Sequence, residues 1–157
     1  MYGNAIGLLL FLSIVAALPA QNPATGIPVP DLVLQSFNRS FPASELVTWS
    51  SAGNVYETTF LQQQKNMSAQ FDTCGNLCKY SKKIQFKELP ELVRVSFATE
   101  RYREYDIAEV YEWNQPNGTP ARYFTIVGQT QNSRAGFNFT PNGYNLSSYK
   151  PKCPCLR

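Results

Sequence analysis

The chain carries an internal echo. Val29-Pro30-Asp31-Leu32-Val33-Leu34-Gln35-Ser36-Phe37 returns sixty residues later as Leu89-Pro90-Glu91-Leu92-Val93-Arg94-Val95-Ser96-Phe97. Seven of the nine pairs are identical or closely similar, and no gap separates them. A periodic echo of this size points to a duplicated structural unit. Each copy opens with Pro, continues with an acid and then places apolar residues at helical spacing. Pro at the first helical position gives up no needed N–H, and the acid meets the positive helix end. Leu32, Val33 and Phe37, and equally Leu92, Val93 and Phe97, are expected to cover one helix face.

Similar text follows each helix. Pro42 stops the first helix at about Ser40, because a residue before proline avoids helical conformation. Strands are predicted over residues 46–49, 55–60, 67–71 and 77–84, where β-branched and aromatic residues gather between turn signals. The second copy gives strands over 107–113, 122–127, 136–139 and 144–148. The expected fold class is α+β: two tandem helix-plus-four-strand repeats. Their antiparallel sheet of about eight strands would have helices on one face and an open concave face on the other.

The first 28 residues read differently. Residues 6–18 are thirteen apolar or small residues without a charge. That is short for a membrane span and suits a signal-peptide core. Small residues follow at Ala16, Ala17 and Ala20, and cleavage is expected after Ala20. The organisation is then signal peptide 1–20, leader 21–28, first repeat 29–84, second repeat 85–148 and a cysteine-containing tail 149–157. Such a protein is periplasmic or secreted, with no stable membrane insertion after cleavage. A net charge of +3 gives no argument for nucleic acid. Lys79, Lys82, Lys83 and Lys87 cluster between the copies and read as a solvated linker, or alternatively as a docking patch.

An ordered series of residues carries a likeness to a known family. It comprises Pro30-Asp31-Leu32-Val33 through Phe37, Phe41-Pro42-Ala43, Val47-Thr48-Trp49, Tyr56-Glu57-Thr58-Thr59-Phe60, and Ala69-Gln70-Phe71-Asp72 with Gly75. The second copy keeps Leu89-Pro90-Glu91-Leu92-Val93, Phe97, Trp113 and Gly143. The series resembles the β-lactamase-inhibitor-like, PepSY-like proteins exported by Bacteroidetes, over roughly residues 28 to 148. The resemblance implies a two-repeat α+β fold with a concave sheet, and a binding protein in place of a catalyst. Tyr105-Asp106-Ile107 replaces the Phe-Pro-Ala corner in the second copy, and Thr140 stands where Asp72 stands in the first.

Four cysteines, Cys74, Cys78, Cys153 and Cys155, suggest disulfides in an exported chain. Three pairings are possible. A Cys153–Cys155 bond closes a very tight ring, so two bridges stapling the tail to the first repeat are expected. The competing reading is a metal- or redox-responsive protein using all four thiols.

The chain has no histidine, which removes Ser-His and Cys-His catalysis. No Gly-rich phosphate loop appears, and no cofactor is expected. Asp72, Glu104, Asp106, Glu109 and Glu112 could supply an acid–base pair, but on short strands and turns such residues normally face water. Asp72 reads as an Asx-type turn residue. The expectation is no enzyme.

Aromatics crowd the second copy. In a regular strand over 107–113, Ile107, Glu109, Tyr111 and Trp113 share one face, with Ala108, Val110 and Glu112 on the other. A gap-free alignment sets Leu46 against Val110 and Trp49 against Trp113. If Leu46 and Val110 point inward, Tyr111 and Trp113 stand on the open face. If both tryptophans close the core, Val110 faces out. Tyr and Trp anchor protein interfaces, so Glu109, Tyr111 and Trp113 are the candidate binding residues, for an unknown protein or peptide.

Overall fold

The computed structural model describes residues 27–146 and Cys153. The expected signal peptide, most of the leader and most of the tail, including Cys155, lie outside the described residues. Helix α1 spans Asp31–Ser40. Four strands follow: β1 Glu45–Ala52, β2 Val55–Gln62, β3 Lys65–Asp72 and β4 Leu77–Ile84. Helix α2, Glu91–Phe97, precedes β5 Asp106–Asn114, β6 Arg122–Gln129 and β7 Arg134–Phe139. The strands form one antiparallel, open sheet in sequence order, β1 to β7.

The helix starts follow the sequence logic with one correction. Pro30 and Pro90 sit just before the first helical residue, at the cap position. There the proline carbonyl accepts the first helical N–H bonds, from Val33 and Leu34 and from Val93 and Arg94. The expected apolar face also needs correction. Val33, Phe37, Val93 and Phe97 are buried, whereas Leu32 and Leu92 are more than half exposed.

Two hydrophobic clusters hold the molecule. Val33, Phe37 and Phe41 pack with Trp49, Phe60, Ala69 and Phe71. Leu89, Val93, Phe97 and Tyr102 pack with Val110, Phe124, Ile126 and Phe139. Aromatic pairs dominate both. Phe37 meets Trp49 and Phe60 edge-on at 5.3 and 5.1 Å, and Phe97 stacks on Tyr102 at 5.2 Å. Such contacts add roughly 0.5–1.5 kcal/mol each beyond area burial.

Among the described residues there are seven strands, against the expected eight. The stretch expected as the last strand, 144–148, contributes an isolated bridge from Asn145 to Phe139, and residues 147 and 148 lie outside the described residues. Gly143, at φ +82°, turns the chain against the helix: a Cβ there would lie 2.6 Å from the Leu92 carbonyl oxygen. Gly75, at φ +79°, makes the same approach to the Leu32 carbonyl, at 2.9 Å. Only glycine fits a left-handed turn pressed this closely on backbone.

Other expectations shift for local reasons. The polar stretch 62–66 tightens to a two-residue turn, because Gln62 pairs directly with Lys65. Gln63 and Gln64 both take positive φ there, the geometry that matches strand twist in a hairpin. Three of the four clustered lysines are no linker: Lys79, Lys82 and Lys83 lie within β4, which pairs with β5.

Candidate functional site

From Glu109 onward β5 alternates regularly. Val110 and Glu112 are buried, and Phe60, Met67, Lys82, Glu112, Phe124 and Phe139 form one unbroken cross-strand row. That row includes members of both hydrophobic clusters. Glu109, Tyr111 and Trp113 therefore stand on the opposite side of the sheet, since successive side chains alternate. There Thr59, Ser68, Ser81, Trp113 and Tyr123 form a second row, and Lys83, Tyr111, Thr125 and Asn138 a third.

These rows shape a groove of about 500 Å³. Its floor is small and hydroxylated. The Ser68 and Ser81 hydroxyls pair at 2.8 Å, and the Thr48 and Thr59 hydroxyls at 2.6 Å. Trp113 and Tyr111 line one side, and Leu46 and Leu61 the other. Short side chains between tall ones leave this groove open along the sheet.

Trp113 lies parallel to Tyr123, at 5.9 Å and 6°, and the Lys79 ammonium sits 4.2 Å from its ring centre. An ammonium over an indole face is held by the ring quadrupole. Burial pushes the Lys79 pKa down, opposed by the charge of Glu57. Glu57 in turn accepts a bond from Gln70 Nε2 at 3.3 Å.

Glu109 is held by two cations. Lys83 Nζ donates to its Oε1 at 2.9 Å, and Arg134 pairs with its Oε2. Hydrogen bonding to Lys83 lowers the Glu109 pKa and raises that of Lys83. Tyr111 is shifted up, first by burial and then by the Glu109 charge beside it. The structure thus brings Glu109, Tyr111 and Trp113 to one groove, adds Lys83, Ser68 and Ser81 to its lining, and sets Lys79 against Trp113. These additions had one sequence signal, the alternation Lys79-x-Ser81-x-Lys83, but it becomes a wall only once β4 is registered against β5.

The tryptophan alignment fails. Trp49 is buried against Phe37 and pairs with Thr58, on the side of Phe60. Trp113 pairs with Tyr123, on the side opposite Phe124. Leu46, which one of the two readings turns inward with Val110, has φ +50° and is 79% exposed, whereas Val110 is buried. A bulge between Glu45 and Thr48 sets the face of each residue in β1, and a one-residue offset reverses all of them.

The other candidate chemistries disperse. Glu109 and Glu112 lie on opposite faces of β5, so they form no acid–base pair. Glu112 bonds Lys82 at 2.9 Å and Arg122 at 2.7 Å. Asp72 is fully buried and acts as a turn organiser. Its Oδ1 accepts from the backbone N–H of Cys74 and of Asn76. Thr140, at the matching turn, accepts from the N–H of Tyr144 in the same manner. Cys78 is bonded to Cys153 across 75 residues, with Cα atoms 4.8 Å apart. Cys74 is also disulfide-bonded. In this bonded state these cysteines offer no thiolate to a metal.

The fold itself has relatives. No protein-family model matches the chain, and no curated protein matches it. Solved structures do. One, described as a periplasmic protein from Bacteroides eggerthii, superposes with a TM-score of 0.69 at 19% identity, covering 76% of this chain and 86% of its own. A DUF2874 family protein from Bacteroides uniformis gives 0.68 at 20% identity, over 75% and 86%. A BLIP-like protein from Bacteroides fragilis gives 0.66 at 17% identity, over 80% and 95%. At these identities the likeness is one of fold. The description of the first agrees with the periplasmic or secreted location expected from the sequence. Among the described residues, no helix is long and apolar enough to cross a membrane.

Proposed function

We propose that this is an exported, non-catalytic binding module that holds a protein or peptide segment in the groove bearing Glu109, Tyr111 and Trp113. The observation that carries the reading is the groove's construction: aromatic and aliphatic walls over a floor of paired hydroxyls. In the Ser68–Ser81 pair one proton is donated inward, so one O–H donor remains for a ligand. Apolar flanks with a few placed polar groups are how binding clefts gain both affinity and orientation. Inhibition of an envelope enzyme is one form of this activity, in keeping with the BLIP-like description of one neighbour. The cysteine-centred reading has no comparable support.

The same proposal covers the architecture. The two halves are copies of one unit in the β-lactamase-inhibitor-like, PepSY-like manner, with both helices on one face of the sheet. The Gly75–Leu32 and Gly143–Leu92 contacts support the duplication, and the row from Phe60 to Phe139 supports the common helix face. The domain boundaries expected from the sequence, signal peptide and leader included, belong to this reading.

The test is site-specific photocrosslinking in the periplasm, with the reactive residue at Tyr111 or, as control, at Leu92. Discrete protein adducts from position 111 that vanish with Trp113→Ala are expected. No adduct, or the same adducts from position 92, would sink the proposal.

A further inference from the structure

The two edges of the sheet differ. At the β7 edge, Asn145 bridges to Phe139 and the Leu146 N–H bonds the Asn138 carbonyl at 2.7 Å. At the β1 edge no described residue pairs with the outer side. Beyond the bulge, Thr48 to Ala52 keep an unbroken register with β2. Natural proteins protect such edges with lysine, proline, a bulge or a cover. Here the bulge protects only the first residues, and Thr48-Trp49-Ser50-Ser51-Ala52 contains no charge and no proline.

We propose that β1 pairs with β1 of a second copy, antiparallel about Ser50, joining two sheets edge to edge. The sequence of the strand is suited to itself. Centred on Ser50, the pairing sets Thr48 opposite Ala52, and Trp49 opposite Ser51. Each larger residue meets a small one, and no like charges are opposed, which would cost stability across a strand pair. Glu45, the one charge in β1, falls outside the paired five. Ser50, Ser51 and Ala52 are all exposed, so nothing described obstructs the approach.

A twofold axis through Ser50 runs perpendicular to the sheet, so equivalent faces of the two copies point the same way. The pair closes on itself, because the interface is isologous and each copy brings one β1 edge to it. Leu46 and the groove lie next to this edge. Two grooves side by side would then give a bivalent surface, whose avidity exceeds that of either groove alone. The pairing rests on the edge geometry and stands whether or not the groove binds protein.

Sedimentation equilibrium on the mature, oxidised protein tests it. The mass is expected to rise from one chain to two with concentration and to stop there. Ser50→Lys sets two lysines face to face at the axis and should return the protein to one chain with its circular dichroism unchanged. Ser50→Asp, which sets two carboxylates face to face at the same axis, serves the same purpose if the first variant misfolds. Ser50→Cys should give an intermolecular disulfide on mild oxidation, since paired strands hold opposite Cα atoms about 4.5–5.5 Å apart, within disulfide range. A protein that stays at one chain throughout, or a dimer that survives both charged variants at position 50, overturns the proposal. So does a Ser50→Cys protein that forms no cross-link.

Discussion

The two halves of the sheet open alike and then diverge at their tryptophans. In the first, Trp49 closes the core beside Phe37 and Phe71. In the second, the buried position opposite Phe124 is filled by Glu112, held between Lys82 and Arg122, and Trp113 stands one residue further on. One residue of offset in a strand moves a side chain from core to groove. Two halves with the same helix motif therefore differ in what they expose: the first supplies hydroxyls and leucines to the groove, the second its aromatics.

Substitution of the two tryptophans breaks this comparison most directly. Trp49→Ala should cost about 3–5 kcal/mol of stability, the usual range for emptying an aromatic core site. Trp113→Ala should cost distinctly less in urea unfolding, while removing the proposed crosslinks at position 111. Equal losses of stability would mean that both rings serve the core.

The disulfide links the halves' chemistry to the tail. Replacing both Cys78 and Cys153 by Ser should lower stability by about 4 kcal/mol in the chain-entropy account of a loop this long. Denaturant unfolding of the double variant checks it, with intact mass confirming the remaining cysteines.

The matching turns give a graded test. Gly143→Ala and Gly75→Ala each force a left-handed non-glycine residue against a helix carbonyl, at about 1–3 kcal/mol. Gly143 should be the costlier, because its added Cβ would come nearer, 2.6 against 2.9 Å. The reverse order in thermal melts would show that helix α2 yields more easily than α1.

The smallest effect is electrostatic. The Glu109 pKa is lowered in the folded protein, so its contribution is present above the unfolded carboxylate pKa and is lost as pH falls through the folded value. Glu109→Gln should flatten that acid limb of a pH–stability curve slightly and leave neutral stability little changed, because the pair is partly solvent-exposed and screened. A large loss at neutral pH would contradict this.

Much of the fold was legible in the chain. The echo of Pro-acid-Leu-Val placed both helices, Pro42 marked the end of α1, and β4 runs over the residues expected for it. Asp72 was readable as a turn residue because its short carboxylate can accept nearby N–H groups whatever lies beyond. These are local signals, set by backbone dihedrals, missing donors and hydrogen bonds within a few residues. The face of Trp113, the exposure of Leu46 and Leu32, and the meeting of Lys79 with Trp113 were not legible. They depend on which strand residues stand opposite each other, and bulges in β1 and β5 reset that register. Sequence by itself determined the elements, the lack of histidine chemistry and the candidate aromatics. Tertiary structure alone decided which of them share a groove, because a side-chain period of two turns any single-residue shift into a change of face.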